Sequence, residues 1–369
     1  MLAQCLAGTR VLDLCQYIPG PVATQWLADF GAEVVKVEPP EGDPGRISGP
    51  LDADGTTVFY KLVNRGKRVV RLDLKDERGR RLFEQLVTAA DVLVEGYRPG
   101  VMARLGFSAE RLAEINPRLI HCSLSGYGQT GPHAPRAGHD LTYLALAGTL
   151  AVSGPAERPA IPMPPMADYS GAMLAAMAIL AALQGRSRTG KGARLDVSLT
   201  EGTTAWMAPV YTVAERWGRP AREGGLITGA AAFYHVYRAG DGGFLAVAPL
   251  EHKFWVNFCQ AVDRPDWIAR QTDPLPQTAL IAEVAALIAT RGRDEWVAAL
   301  AGVDCCVEPV LEPDEAIRHP HTRARGFVQA KDDLVDVLLP VLMDGARAHD
   351  RSPHVDDDAA GIAAAWRQR

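Results

Sequence analysis

Two titratable groups at predicted helix starts have both a chemical and a structural explanation. His139 and Asp168 lie 29 residues apart, and each stands at the start of a predicted helix. An imidazole, with its ordinary pKa near 6.5, can take and give a proton near neutrality. A carboxylate is a weaker base and needs partial desolvation to raise its proton affinity. Two helix N-termini converging on one site would add free backbone N–H groups for a developing oxyanion. Read by themselves, both residues also have structural explanations. Asp168 would serve as an ordinary N-cap of a helix over 170–183, and His139 as a satisfied polar residue beside a capping Asp140. Glu251, just before a predicted helix at 252–262, reads as a solvated helix-start carboxylate.

Cations come next. Arg98 and Arg104 lie on one segment, EGYRPGVMARLG, and each guanidinium can make a charge-assisted fork to phosphate. Arg65, Lys67 and Arg68 form a second cluster, either a ligand site or a solvated basic loop. Gly126, Gly128 and Gly131 would let backbone approach a ligand closely.

The balance of the chain limits what these groups could serve. Across 369 residues, 39 Lys and Arg face 44 Asp and Glu, a net −5 with no long basic run. Nucleic-acid binding therefore lacks its electrostatic driving force, whereas a small anion held by a few local cations fits. Hydrophobic residues at 47% exclude a disordered chain. The 6 cysteines include no C-x-x-C pair, which leaves zinc and redox sites without support, and Cys305 and Cys306 read as two buried small hydrophobes. The N-terminus MLAQCLAGTRVLDL has no basic n-region ahead of a long apolar core, and a cytoplasmic chain is the expectation. No apolar run is expected to reach the roughly 20 residues that span a bilayer, since Pro164, Pro165 and Asp168 interrupt 163–183.

Strands and helices alternate along the first half. Short apolar runs at 9–14, 33–37, 90–97, 118–125 and 192–198 read as strands. Pro21 opens a helix that Gly31 ends, 73–90 is amphipathic at helical spacing, and 170–185 is a long Ala-rich helix. That alternation argues for a parallel sheet with helices on its faces. Arg98 follows a strand directly, at the strand end where open α/β sheets bind ligands. The expected division is a large α/β domain at 1–204, a linker at 205–225, a smaller domain at 226–318 and a return segment at 319–369. The smaller domain begins with a hairpin turning at GDGG.

Several segments together resemble the class III CoA-transferase family of the CaiB/BaiF type, which also contains the α-methylacyl-CoA racemases. They are VLDLCQYIPGPVATQWLADFGAEVVKVEPPEGDPGR, NRGKRVVRLDLK, ADVLVEGYRPGVMARLG, SGYGQTGP, AGHDLTYLALAG, MADYSGAM and RTGKGARLDVSLTEG, in the family's order across roughly residues 6–204. FYHVYRAGDGGFLAVAPLE and DCCVEPVL look like its small domain. The resemblance implies an acyl-CoA substrate, a Rossmann-like large domain with a smaller α+β domain, an interlocked homodimer, and no metal or redox cofactor. It implies catalytic roles for His139, Asp168 and Glu251, the last assisting His139. It implies CoA contacts from Arg98, Arg104, Arg65, Lys67, Tyr97, Gly126 and Gly138.

Within the family, two chemistries use the position of Asp168. Racemases move the proton next to the thioester carbonyl between paired acid–base groups, and their G-H-D-x-x-Y-L segment is matched by Gly138, His139, Asp140, Tyr143 and Leu144. EGYRPG is also closer to the racemase form than to E-N-[FY]-R-P-G. Transferases use the aspartate as a nucleophile and form a mixed anhydride. Ala167-Asp168-Tyr169-Ser170 departs from the racemases' usual A-D-F-G and keeps that alternative open. A CoA-binding paralogue without activity is disfavoured by the joint presence of His139, Asp168 and Glu251. Pro39 replaces an Arg that close members direct at the CoA nucleotide, a contact either lost or taken over by Lys36 or Arg46. Segments 155–166 and 204–217 are expected to face the acyl group.

Overall fold

In a computed structural model, residues 2–331, 333–348 and 350–368 are described. Two compact units divide the chain. The first comprises Met1–Ala147, Met163–Trp206 and His321–Arg369, and the second Gly148–Pro162 and Met207–Pro320.

A seven-stranded parallel sheet organises the first unit. Its strands are β1 (Arg10–Leu14), β2 (Glu33–Glu38), β3 (Arg68–Arg71), β4 (Val92–Glu95), β5 (Ile120–Ser125), β6 (Ala193–Ser198) and, from the chain's end, Val355–Asp356. The two-residue strand pairs with β3, and the order then runs β3-β2-β1-β4-β5-β6. β1 to β5 are buried almost throughout, which is why they read as unbroken apolar runs rather than alternating ones. Pairing of β1 with both β2 and β4 makes the gap between β1 and β4 the topological switch point of the sheet.

Helices cover both faces. Helix Glu77–Ala89 buries Phe83, Leu86 and Val87 in the same core as Ile362, Ala363 and Trp366 of the terminal helix Ala359–Arg367. Asp76 caps the former by accepting from the N–H groups of Arg78 and Gly79. The long helix Met166–Thr189 packs with Pro19–Asp29, Leu199–Trp206, β5 and β6. A Cβ on its Gly171 would fall 2.1 Å from Leu199 Cδ2, so glycine permits that close approach. At 24 residues this helix is long and apolar enough to cross a membrane by length and composition, contrary to expectation. The prolines lie ahead of it and Asp168 sits in its first turn, so none of them interrupts it.

The second unit holds the expected hairpin. His235–Arg238 and Phe244–Val247 pair antiparallel around Asp241–Gly242, and Val307–Pro309 adds a third strand. Trp255, Phe258, Trp267, Val284 and Ile288 form its core. Within segment 205–225, Ala208–Trp217 is a helix. Arg222 donates to the carbonyls of Ala151, Pro155 and Ala156, which ties loop 148–162 to this unit. Cys305 is buried as expected, but Cys306 is exposed, with a left-handed φ of +53° that turns it away from its neighbour's environment.

Candidate active site

A pocket of about 460 Å³ lies wholly within the first unit, at the carboxyl ends of β1, β4 and β5. Its position is the switch point, where crevices in open α/β sheets take their ligands. Three turns shape it: Cys15–Gly20 after β1, Gly96–Val101 after β4, and the glycine-containing loop from Gly126 to Gly138 after β5. His139 and Asp168 both line it.

The two groups are joined through Asp140. His139 is the N-cap residue of helix Asp140–Leu146, its N–H held by Thr142 Oγ1 at 3.1 Å. Asp140 begins that helix and sends its carboxylate to the other one. Its Oδ1 accepts from the N–H of Ala167 at 2.6 Å and of Asp168 at 3.1 Å. Pro165, the N-cap residue of Met166–Thr189, has no side-chain group to do this, so Asp140, 27 positions before Ala167, caps the helix. Burial first, and then the neighbouring Asp140 charge, push the Asp168 carboxyl up to about 7.

The expected oxyanion donors are only partly present. The Ala167 and Asp168 N–H groups are taken by Asp140, and that of Tyr169 by the Pro165 carbonyl. The N–H groups of Asp140 and Leu141 have no hydrogen-bond partner among the described residues and stand at the free N-terminus beside His139.

Tyr143 fills the space between the glycines. A Cβ on Gly126 or Gly138 would fall 2.4 or 2.5 Å from the Tyr143 ring. Both glycines line the pocket, and their lack of a Cβ makes room for this ring. Burial, followed by Asp168, pushes the Tyr143 phenol up to about 12.

The expected CoA residues divide. Tyr97 and Arg98 line the pocket, with the turn fixed by the Tyr97 N–H donating to Glu95 Oε2 at 2.9 Å. Arg104 is exposed in the last turn of Val101–Arg104, outside the lining. Arg65 and Lys67 lie outside this lining and are buried in contacts within the protein. Arg65 is 2% exposed, paired with Asp336 and donating to the Arg351 carbonyl. Lys67 is 1% exposed and donates to Asp13, Asn64 and the Pro21 carbonyl. Burial depresses its ammonium to about 8, against the pull of Asp13. Arg68 pairs with Glu33 and Asp357.

Neither substitute for an arginine at position 39 is free. Lys36 is buried against Asp43 and the Cys15 carbonyl, and Arg46 is bound to Glu38 while stacking over Tyr60. Glu251 belongs to the second unit, as the exposed N-cap residue of His252–Ala261. Segments 155–166 and 204–217 are divided between the units.

Tyr17 and Arg136 line the pocket without having been singled out. The rule that ligands sit at strand carboxyl ends points to Tyr17, three residues after β1. Arg136, in the β5 loop and bonded to His133 Nε2 at 3.2 Å, had only its place before G-H-D to mark it.

Sheet order and pocket position define an α/β protein whose candidate site lies at the switch point, lined by an imidazole and a carboxyl. The chain belongs to CoA-transferase family III, whose family model it matches over residues 6–359. It is 36% identical to the human alpha-methylacyl-CoA racemase over 346 residues, 92% of this chain and 86% of the relative. It is 34% identical to the acetyl-CoA:oxalate CoA-transferase of Acetobacter aceti over 371 residues, 96% and 94% of the two chains. Among solved structures, a CaiB/BaiF family protein from Brucella suis superposes with a TM-score of 0.85 at 30% identity, covering 98% of this chain and 99% of that one.

Proposed function

We propose that the protein is an acyl-CoA epimerase of the α-methylacyl-CoA racemase kind. The observation that supports this best is that His139 and Asp168, the latter with its carboxyl pushed up to about 7, line one pocket. Moving a proton from one face of an α-carbon to the other needs two groups in opposite protonation states, each near neutrality. One group removes the α-proton as the thioester becomes an enolate. The N–H groups of Asp140 and Leu141 receive the oxyanion, and the second group returns a proton to the opposite face. Arg98 and Arg104 hold CoA phosphate, and Tyr97 borders the thioester arm. CoA enters as part of the substrate, with no metal or redox cofactor. The reading includes an interlocked homodimer in the cytoplasm.

Full-length similarity to the oxalate transferase favours a second reading. There Asp168 attacks the thioester carbonyl and expels CoA thiolate. The thiolate attacks the Asp168 carbonyl of the anhydride, releasing the first acid and leaving a CoA thioester on Asp168. The acceptor carboxylate then displaces CoA thiolate to form a second anhydride, and the thiolate takes the acceptor's acyl group, freeing Asp168. Burial and the Asp140 charge raise the proton affinity of the Asp168 carboxyl, which suits an acid–base group better than a nucleophile, and that argument ranks the epimerase first. Incubation with a 2-methylacyl-CoA in D₂O, with and without a free acceptor acid, separates them. The epimerase incorporates deuterium at the α-carbon in both tubes; the transferase moves CoA only when acceptor is present, and incorporates none.

A further inference from the structure

Tyr17 sits in an unusual backbone conformation for its type. Its φ is +62°, in the left-handed region that a bulky L side chain adopts only at a cost. Such conformations persist where surrounding structure enforces them, and they concentrate at functional sites. The ring is 41% exposed, lines the pocket, and stands edge-on to the His139 imidazole, with centroids 6.3 Å apart and planes at 88°.

What enforces the conformation is a buried ionic network that the proposed chemistry does not otherwise use. Asp13, Lys36 and Lys67 are each at most 1% exposed. Asp13 Oδ1 accepts from the Cys15 N–H at 2.9 Å, and Lys36 Nζ donates to the Cys15 carbonyl at 2.7 Å. Lys67 Nζ donates to Asp13 Oδ2 at 3.0 Å and, past the turn, to the Pro21 carbonyl at 2.8 Å. Thr24 Oγ1 completes Asp13 at 2.6 Å. Cys15 Cβ lies 2.1 Å from where a Cβ on Gly20 would stand, so the turn closes on itself as well. Both ends are fixed, and Tyr17 is held at the crest. Nothing about packing the core requires a half-exposed tyrosine there.

We propose that Tyr17 is a positioning residue for His139, held by the Asp13–Lys36–Lys67 network so that its ring fixes the imidazole for proton transfer on one face of the substrate. The inference rests on the epimerase reading and adds to it the device that orients one of its two groups. Asp168 is held by Asp140 and its own helix and has no hydrogen bond or ring contact with Tyr17 among the described residues, so loss of the Tyr17 ring acts on one face only.

The test uses the full-length protein and each epimer of a 2-methylacyl-CoA in D₂O. Tyr17→Gly removes the ring and relieves the left-handed backbone, so its melting temperature should equal or exceed that of the unsubstituted protein. Should it fail to fold, Tyr17→Asn tolerates the same φ and supplies the same comparison. Deuterium wash-in should fall about 3- to 10-fold for the epimer that His139→Ala impairs, the scale of one aromatic contact, and less than twofold for the other. Tyr17→Phe, which keeps the ring, should restore the ratio between epimers. An unchanged ratio in Tyr17→Gly, or an equal fall for both epimers, overturns the inference and leaves the epimerase reading intact. Failure of the unsubstituted protein to exchange either epimer overturns that reading and this inference with it.

Discussion

The Asp140 carboxylate holds the backbone N–H of Asp168 at 3.1 Å, and so the residue after the imidazole caps the helix that carries the carboxyl. One side chain therefore sets the distance between two helix N-termini and also places a negative charge beside Asp168. Asp140→Asn keeps an acceptor oxygen but removes the charge. The Asp168 carboxyl should fall from about 7 toward its ordinary range, moving the acidic limb of the kcat/KM profile to lower pH. Asp140→Ala should instead cost about 1 kcal/mol of stability through the lost cap. A pH profile unmoved in Asp140→Asn would separate the two residues electrostatically.

Asp168 should also make stability fall as pH rises. Its folded-state pKa of about 7 lies above the 3.8 it has when exposed, so between those values the folded chain binds a proton that the unfolded chain has lost. The protonated form's contribution is complete below about pH 4 and is lost by about pH 7. Asp168→Asn should match the unsubstituted protein near pH 4 and exceed it at pH 8 by roughly 2 kcal/mol, after allowance for partial solvation. Denaturant melts across that range check this, and a variant less stable at every pH contradicts it.

Much of the site was legible in the sequence because it is local. Strand 90–97 running into Arg98 and the G-H-D segment ahead of a helix are contiguous signals, and the switch point follows from βαβ alternation. What was not legible depends on pairing across long stretches of chain. Lys67 reads as an exposed loop cation until β1 brings Asp13 to it across 54 residues. Arg65 meets Asp336 and the Arg351 carbonyl only once the chain's end has returned to this unit. The Asp140 cap has the same character, since Pro165 hides the usual capping signature. Cys305 and Cys306 look alike in sequence, and a single left-handed φ separates them.

Charge burial distinguishes the cations. Arg98→Ala should weaken CoA by about 1.5–3 kcal/mol, the range for a hydrogen bond to a charged group, with little change in melting temperature. Lys67→Met should do the reverse, losing about 3–5 kcal/mol of stability because Asp13 is left buried beside a missing partner. Calorimetric titration with CoA, paired with thermal melts, reads both. Equal CoA affinities for Arg98→Ala and the unsubstituted protein would remove Arg98 from the site.

Association provides an independent check. Interlocked subunits would bury far more than a standard interface of roughly 1,600 Å², so the dimer should persist at sub-micromolar concentration. Sedimentation velocity showing a monomer there would contradict an interlocked assembly.

The most direct measurement is deuterium wash-in at the α-carbon from each pure epimer of a 2-methylacyl-CoA, comparing His139→Ala with Asp168→Asn. If the two groups serve opposite faces, each substitution slows one epimer more than the other, with opposite preferences, while net racemisation falls in both. Rapid CoA transfer to an acceptor acid with no deuterium at the α-carbon, abolished by Asp168→Asn and largely kept by His139→Ala, would contradict the account.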